Sequence, residues 1–371
     1  MSESSSPLQI RAEKFFAPAR EGVLSPAERI TLFKQFLKKE EELIRERHRE
    51  GAGGLEVAGA RAQLIDVLLW HAYQSAMNER GIKSPAFALV AIGGFGRGLL
   101  NPCSDIDLLF LLARPSASIP PQVKETVEAV LYLLWDIGFK VGHSVRSIAE
   151  CIEEAQKDQQ NKTALLDTRL IAGDKALYEK SLVTFEKECV RKKTAEFLEL
   201  RRQDQRSRHE KFWNTPFLQE PNVKESCGGL RDYHNIMWVS RVKRGITHLK
   251  DLVREKSLSP TAYSEINAAY DFLHRVRNEL HYETGKATEI LTLRFQGIVA
   301  TSFDYPQKSI LRRTEAFMRD YYTHTRHLWQ HTTSLMEIYQ IEEQQAAASG
   351  LRSFLTFRKK KTEEFDGFTA R

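Results

Sequence analysis

Residues 92–110 read IGGFGRGLLNPCSDIDLLF, and the run FALVAI leads into them. A short apolar run stopped by glycine predicts a buried strand. A glycine-rich loop and the turn residues NPCSD follow, and then a second apolar strand, IDLLFLLA. Side chains alternate faces along a strand, so Asp105 and Asp107 point the same way. Two carboxylates side by side repel each other, and burying both is costly without a cation. Hard oxygen ligands of this kind suit Mg²⁺, which binds through one or two carboxylates plus substrate phosphates. Gly93 and Gly94 have no Cβ, so the backbone there can approach a phosphate closely. Ser104 adds a hydroxyl, and Arg97 a fixed cation near the phosphates. Singly, each feature has a plainer reading. A Gly-Gly after a strand is most often a turn, and an isolated Asp-x-Asp is common on surfaces. Their order, with ten residues between Gly94 and Asp105, carries the weight.

Upstream, SPAERITLFKQFLKKEEELIRERHRE predicts a helix from Ser25 to Arg49, with Pro26 at a first helical position. Residues 1 to about 26 read as polar and irregular. Gly51 to Gly54 breaks the chain, and a second helix follows with Leu64, Leu68 and His71 on one side. Gly81 to Pro85 reads as a turn. Downstream, Val123, Val127, Val130, Leu131 and Leu134 share a helical face. In FKVGHSVRS, Phe139, Val141, His143 and Val145 alternate as in a third strand. After Glu150 nearly everything to about 345 reads as helix, except a loop at 213–231 with two prolines and a Gly-Gly pair.

These patterns predict an N-terminal helical segment at 1–54 and a mixed α/β core at 55–150, a short mixed sheet with helices on one side. A mainly α-helical second domain at 151–345 and a polar tail at 346–371 complete the division. No stretch approaches 18 consecutive apolar residues, and the first residues lack the basic start and apolar run of a signal peptide. The four cysteines are scattered without CxxC spacing, as free thiols in a reducing compartment would be. A cytoplasmic protein without a membrane span is expected. The net charge of +6 is compatible with a phosphate-rich substrate and equally with a solvated helical surface.

The pattern apolar-Gly-Gly, then Asp-apolar-Asp-apolar, resembles the signature of the DNA polymerase β-like nucleotidyltransferases, a superfamily with a small α/β core and two metal ions. GGFGRGLLNPCSDIDLLFL (93–111), LLWDIGFKVGHSVRSIAEC (133–151), TALLDTRLIAGD (163–174) and KESCGGLRDYHNIMWVSRV (224–242) resemble, in order, the bacterial PII uridylyltransferase/uridylyl-removing enzymes. Fainter likeness continues through 272–286 and 315–328. The resemblance implies transfer of UMP from UTP to a tyrosine of the trimeric signalling protein PII, with release of pyrophosphate. It implies Mg²⁺, or Mn²⁺ in its place, on Asp105 and Asp107, and Gly93, Gly94, Arg97 and Ser104 serving the triphosphate. It also implies that the segment with Lys224, Gly228, Gly229 and Arg231 folds back over the site.

Superfamily enzymes usually place a third carboxylate on a later strand. Here that strand reads KVGHSVRS, and His143 stands where the acid is expected. His143 is read either as a general base or as a hydrogen-bonded core histidine. Asp167 and Asp232 are the other candidates for the acid, and Arg231 with Asp232 is alternatively an internal ion pair. The family's full-length members continue into an HD-type phosphohydrolase domain and two ligand-sensing ACT domains. No His-Asp pair of that kind is recognisable, so the expectation is a transferase-only chain, fragment or natural short form, indifferent to glutamine. Two rivals stand beside this reading: a nucleotidyltransferase acting on RNA or a small molecule, and a non-catalytic nucleotide- or PII-binding relative. The lack of an aromatic-basic RNA module argues against nucleic acid.

Overall fold

The fold is known from a computed structural model that describes residues 6–20, 24–82 and 87–363. The expected turn at Gly81–Pro85 and the last residues of the tail fall partly outside them. Helices α1 (Pro7–Phe15) and α2 (Ala17–Arg20) correct the reading of the first residues as irregular. Ser6 and Gln9 form a capping box with Pro7 at the first helical position, and Phe16 is fully buried against Phe33 and Phe36. Helix α3 (Pro26–Arg49) starts as the sequence predicts, with Ser25 and Glu28 closing a second capping box. Helix α4 (Gly54–Glu79) buries Leu64, Leu68 and His71.

Strand β1 (Phe87–Ile92) runs into the one-turn helix α5 (Gly93–Gly96), and β2 (Ile106–Leu112) follows. Next come helix α6 (Pro121–Asp136), strand β3 (Val141–Ser147) and helices α7 (Ile148–Lys157) and α8 (Gln159–Leu166). A fourth strand, β4 (Thr168–Gly173), precedes α9 (Lys175–Phe185) and is a second exception, beside the 213–231 loop, to the reading of nearly everything from Glu150 to about 345 as helix. The strand was hidden because it is a short edge strand, paired to β1 across a register shift, with little alternation. The sheet order is β3-β2-β1-β4, with β2 and β3 parallel and the other pairs antiparallel.

Helices cover both faces of the sheet, not one. Ile106, Leu108, Phe110 and Leu112 pack with Leu89, α4 and α6. Leu109 and Leu111 pack with Ala88, Val90, Cys151 of α7 and Leu177 of α9. Apolar residues of both parities in FALVAI and LLFLL are what a strand buried on both faces requires.

The helical region comprises α10 (Thr194–Lys211), α11 (Leu230–Arg244), α12 (Leu249–Arg254), α13 (Pro260–Thr284), α14 (Leu293–Ser302) and α15 (Ile310–Glu363). Helix α15 continues past residue 345 into the polar tail. Leu273, Leu280, Val299, Phe317, Tyr321 and Leu335 are central to its core, and Leu55 and Leu99 pack against it from the sheet side. No helix among the described residues is long and apolar enough to cross a membrane. The whole is mainly helical, with one small mixed sheet.

Candidate active site

Asp105 and Asp107 flank the fully buried Ile106 at the start of β2, and both are exposed. The alternation of the strand thus sets both carboxylates on one face, that of Leu109 and Leu111. Neither has a hydrogen-bond or ion-pair partner among the described residues. The Asp107 carboxylate sits in a slot between two glycines. A Cβ at Gly142, its partner in β3, would lie 2.4 Å from Oδ1, and one at Gly93 would lie 3.7 Å from Oδ2. The walls of this slot raise the Asp107 carboxyl above its ordinary range; the Asp105 charge adds to this and Lys224 opposes it.

The loop before Asp105 is clamped to α13. Asn101 Nδ2 donates to Asn278 Oδ1 at 2.6 Å, Arg277 donates to Asn101 Oδ1, and Arg61 Nη1 donates to the Asn101 carbonyl at 3.0 Å. The Cys103 N–H donates to His281 Nδ1 at 3.1 Å. Burial, reinforced by Arg277 and Arg61, pushes His281 down to about 3, so the ring is neutral and its hydrogen is on Nε2. The Ser104 hydroxyl is buried with no protein partner.

Gly93 adopts φ +59° where β1 turns into α5. Gly94 lies beside Arg97, whose Nη2 would be 3.7 Å from a Cβ there. Arg97 is less free than the sequence suggests. Its Nη1 donates to Asp167 Oδ2 at 2.6 Å, and the indole N–H of Trp238 on α11 donates to the same oxygen at 2.7 Å. Burial alone would lower the Arg97 pKa; Asp167 and Tyr270 outweigh it and raise it. Asp167 is therefore engaged by two donors and is not a spare acid.

In the parallel β2–β3 ladder His143 pairs with Leu108, on the face turned to α6, and its ring contacts Trp135 of that helix at 5.9 Å between centroids. The register sets its side chain on the face opposite Asp107, the residue nonetheless lines the same cavity as Asp107, and its exposure does not fit the core reading. The β3 residues on the Asp107 face are Gly142, Ser144 and Arg146, paired with Asp107, Leu109 and Leu111. Asp232 is corrected as well. It is fully buried and accepts from Arg208 Nη2 at 2.5 Å, His209 Nε2 at 2.9 Å and the Gly228 N–H at 2.7 Å. Burial would raise its pKa, but Arg208 and His209 hold it below the ordinary range. Arg231 pairs with Glu225 at 3.1 Å, not with Asp232.

The 222–229 loop brings Lys224 toward the acid pair, close enough for its charge to act on Asp107. Lys224 forms no ion pair within the described residues, and burial with nearby Arg277 and Arg231 pulls its ammonium down. Gly228, at φ +75°, packs on α15, where a Cβ would lie 2.0 Å from the Thr325 carbonyl oxygen. A Cβ at Gly229 would crowd the carbonyls of Val223, Lys224 and Ser226 at 2.9 Å. These glycines fold the loop; the close approach they permit is to the protein's own backbone.

No three His, Cys, Asp or Glu side chains converge as a metal cluster among the described residues. Two unpartnered carboxylates and a buried hydroxyl without a partner nonetheless fit Mg²⁺, which takes the rest of its shell from phosphate and water. Sequence reasoning missed Gly142, Ser144 and Trp238. The register of β3 would have found the first two, and no local signal marks the third.

Residues 196–336 match the family model described as GlnD PII-uridylyltransferase. The matched segment begins in α10 and ends in α15, so it takes in Lys224, Trp238 and Arg277, while Asp105 and Asp107 lie outside it. Over that segment the chain is PII-uridylyltransferase-like, and the family it resembles is that of the GlnD PII-uridylyltransferases.

Proposed function

We propose that this protein transfers UMP from UTP to a tyrosine of PII, using Asp105 and Asp107 as ligands for Mg²⁺. The carrying observation is the unpartnered acid pair at the start of β2, with the charge of Lys224, in the segment that matches the uridylyltransferases, acting on Asp107. Held by Asp105 and Asp107, Mg²⁺ would neutralise charge on the triphosphate and lower the pKa of the attacking hydroxyl. The phenol oxygen bonds to the α-phosphorus, and the bond from that phosphorus to the α,β-bridging oxygen breaks. Pyrophosphate leaves with the electron pair, and the phenol proton passes to solvent at the exposed acid pair. Gly93 and Gly94 admit the triphosphate, and Lys224 meets its negative charge. Arg97 acts chiefly by fixing the glycine turn through Asp167.

The β3 residues beside Asp107 support a phenolic acceptor over a ribose hydroxyl. Gly142, Ser144 and Arg146 supply no carboxylate base there. A phenol, with a pKa of about 10, needs less help to lose its proton than an aliphatic alcohol does. The test is incubation of the chain with labelled UTP or ATP, Mg²⁺ and PII. UMP on a PII tyrosine, abolished by Asp107→Asn, supports the reading; label on RNA, or none with any acceptor, overturns it.

A further inference from the structure

We propose that the cavity beneath α8, which reaches the Gly142 flank of Asp107, receives the aromatic ring of the acceptor tyrosine. This rests on the transfer reading above and names the acceptor subsite of the same centre.

Asp107 divides the site. Its Oδ2 faces Gly93 at the end of β1, and its Oδ1 faces Gly142 of β3. Because β1 and β3 flank β2 on opposite sides, these are opposite flanks of the acid pair. In-line displacement brings the nucleophile in opposite the leaving group. With pyrophosphate departing on the Gly93–Gly94 flank, the acceptor oxygen enters across Gly142.

A cavity of about 210 Å³ runs beneath α8 from Ile92 of β1 across Asp107 to Gly142, Ser144 and Arg146 of β3, so its β3 end lies on that flank. Ile92, Leu109 and Leu165 give it apolar wall, and Ser144 and Asn161 are its neutral polar groups. Neither of those two side chains has a hydrogen-bond partner among the described residues. Pockets for drug-sized ligands occupy roughly 300–1,000 Å³, so this one is of the size that a single ring fills. A ring against Leu109 and Leu165 places its hydroxyl at the Asp107 end. The Asn161 amide, both donor and acceptor, matches the acceptor's peptide backbone, which offers both.

The test compares the intact wild-type chain with Ala164→Leu, which enlarges an α8 residue of the cavity's lining, and Asn161→Ala, which removes a polar group from it. UTP binding with Mg²⁺ is measured by calorimetry, and transfer is measured across a range of PII concentrations. Expected is a rise of about ten-fold or more in the KM for PII, the penalty of a misfitted apolar pocket, with UTP affinity unchanged. Lost UTP affinity with an unchanged KM for PII would assign the cavity to the nucleobase and overturn the proposal. So would two variants that leave both quantities unmoved. If Ala164→Leu melts early, Asn161→Ala carries the comparison. Wild-type protein that binds UTP but never labels PII would instead sink the transfer reading itself.

Discussion

The Asp107 carboxylate occupies the space that a side chain at residue 142 would fill, with Oδ1 only 2.4 Å from where the Cβ would stand. Gly142→Ala must therefore push a flexible carboxylate aside while leaving the β2–β3 ladder intact. Misplacing a catalytic group by about 1 Å costs on the order of 100-fold in rate. The expected result is a melting temperature close to wild type and transfer reduced by about that factor, measured as UMP incorporated into PII.

Asp107→Asn should abolish transfer and, without divalent metal, leave the fold as stable or slightly more so. The folded protein raises the Asp107 carboxyl above its ordinary value of 3.8. Ionising it thus opposes folding at every pH above the folded pKa, and the penalty vanishes below the ordinary value. Urea denaturation at neutral pH and at pH 3.5 measures this. The variant's advantage should appear at neutral pH alone, and added Mg²⁺ with UTP should stabilise wild type and not the variant.

Asp232→Ala tests the anchor of the loop that carries Lys224. It leaves Arg208 and His209 buried without their anion and the Gly228 N–H without its acceptor. Breaking a buried pair from one side costs about 3 kcal/mol or more. The folded pKa of Asp232 lies below its ordinary 3.8, so its contribution is complete above that value and fades as pH falls toward the folded pKa. Denaturation midpoints should show the deficit at neutral pH and a smaller one in acid.

Trp238→Phe removes the N–H that helps hold Asp167 against Arg97. Loss of one such bond to a charged acceptor costs about 2 kcal/mol in stability. Because Arg97 sits at the glycine turn, UTP affinity should fall as well, while the KM for PII holds. A variant with wild-type UTP binding would show that the Arg97–Asp167 pair does not depend on α11.

The sequence alone determined the local parts: the start of the helix at Pro26, the two apolar strands, the glycine turn, and the common direction of Asp105 and Asp107. These follow from short-range sterics and strand alternation, which need no partner. It also carried the order of motifs that resemble the uridylyltransferases, and the family match at residues 196–336 agrees with that resemblance. What only the tertiary structure decided is which residues meet. His143 matched a position on a strand, but strand pairing sets the face, and the register pairs it with Leu108 and pairs Gly142 with Asp107. Asp167 and Asp232 looked like spare acids because their cations, Arg97 and Arg208, come from distant or differently facing elements. The short strand Thr168–Gly173 became a strand because β1 offered it an edge. Gly142 acquired its purpose in the same way, from a carboxylate 35 positions earlier that the parallel register brought alongside it.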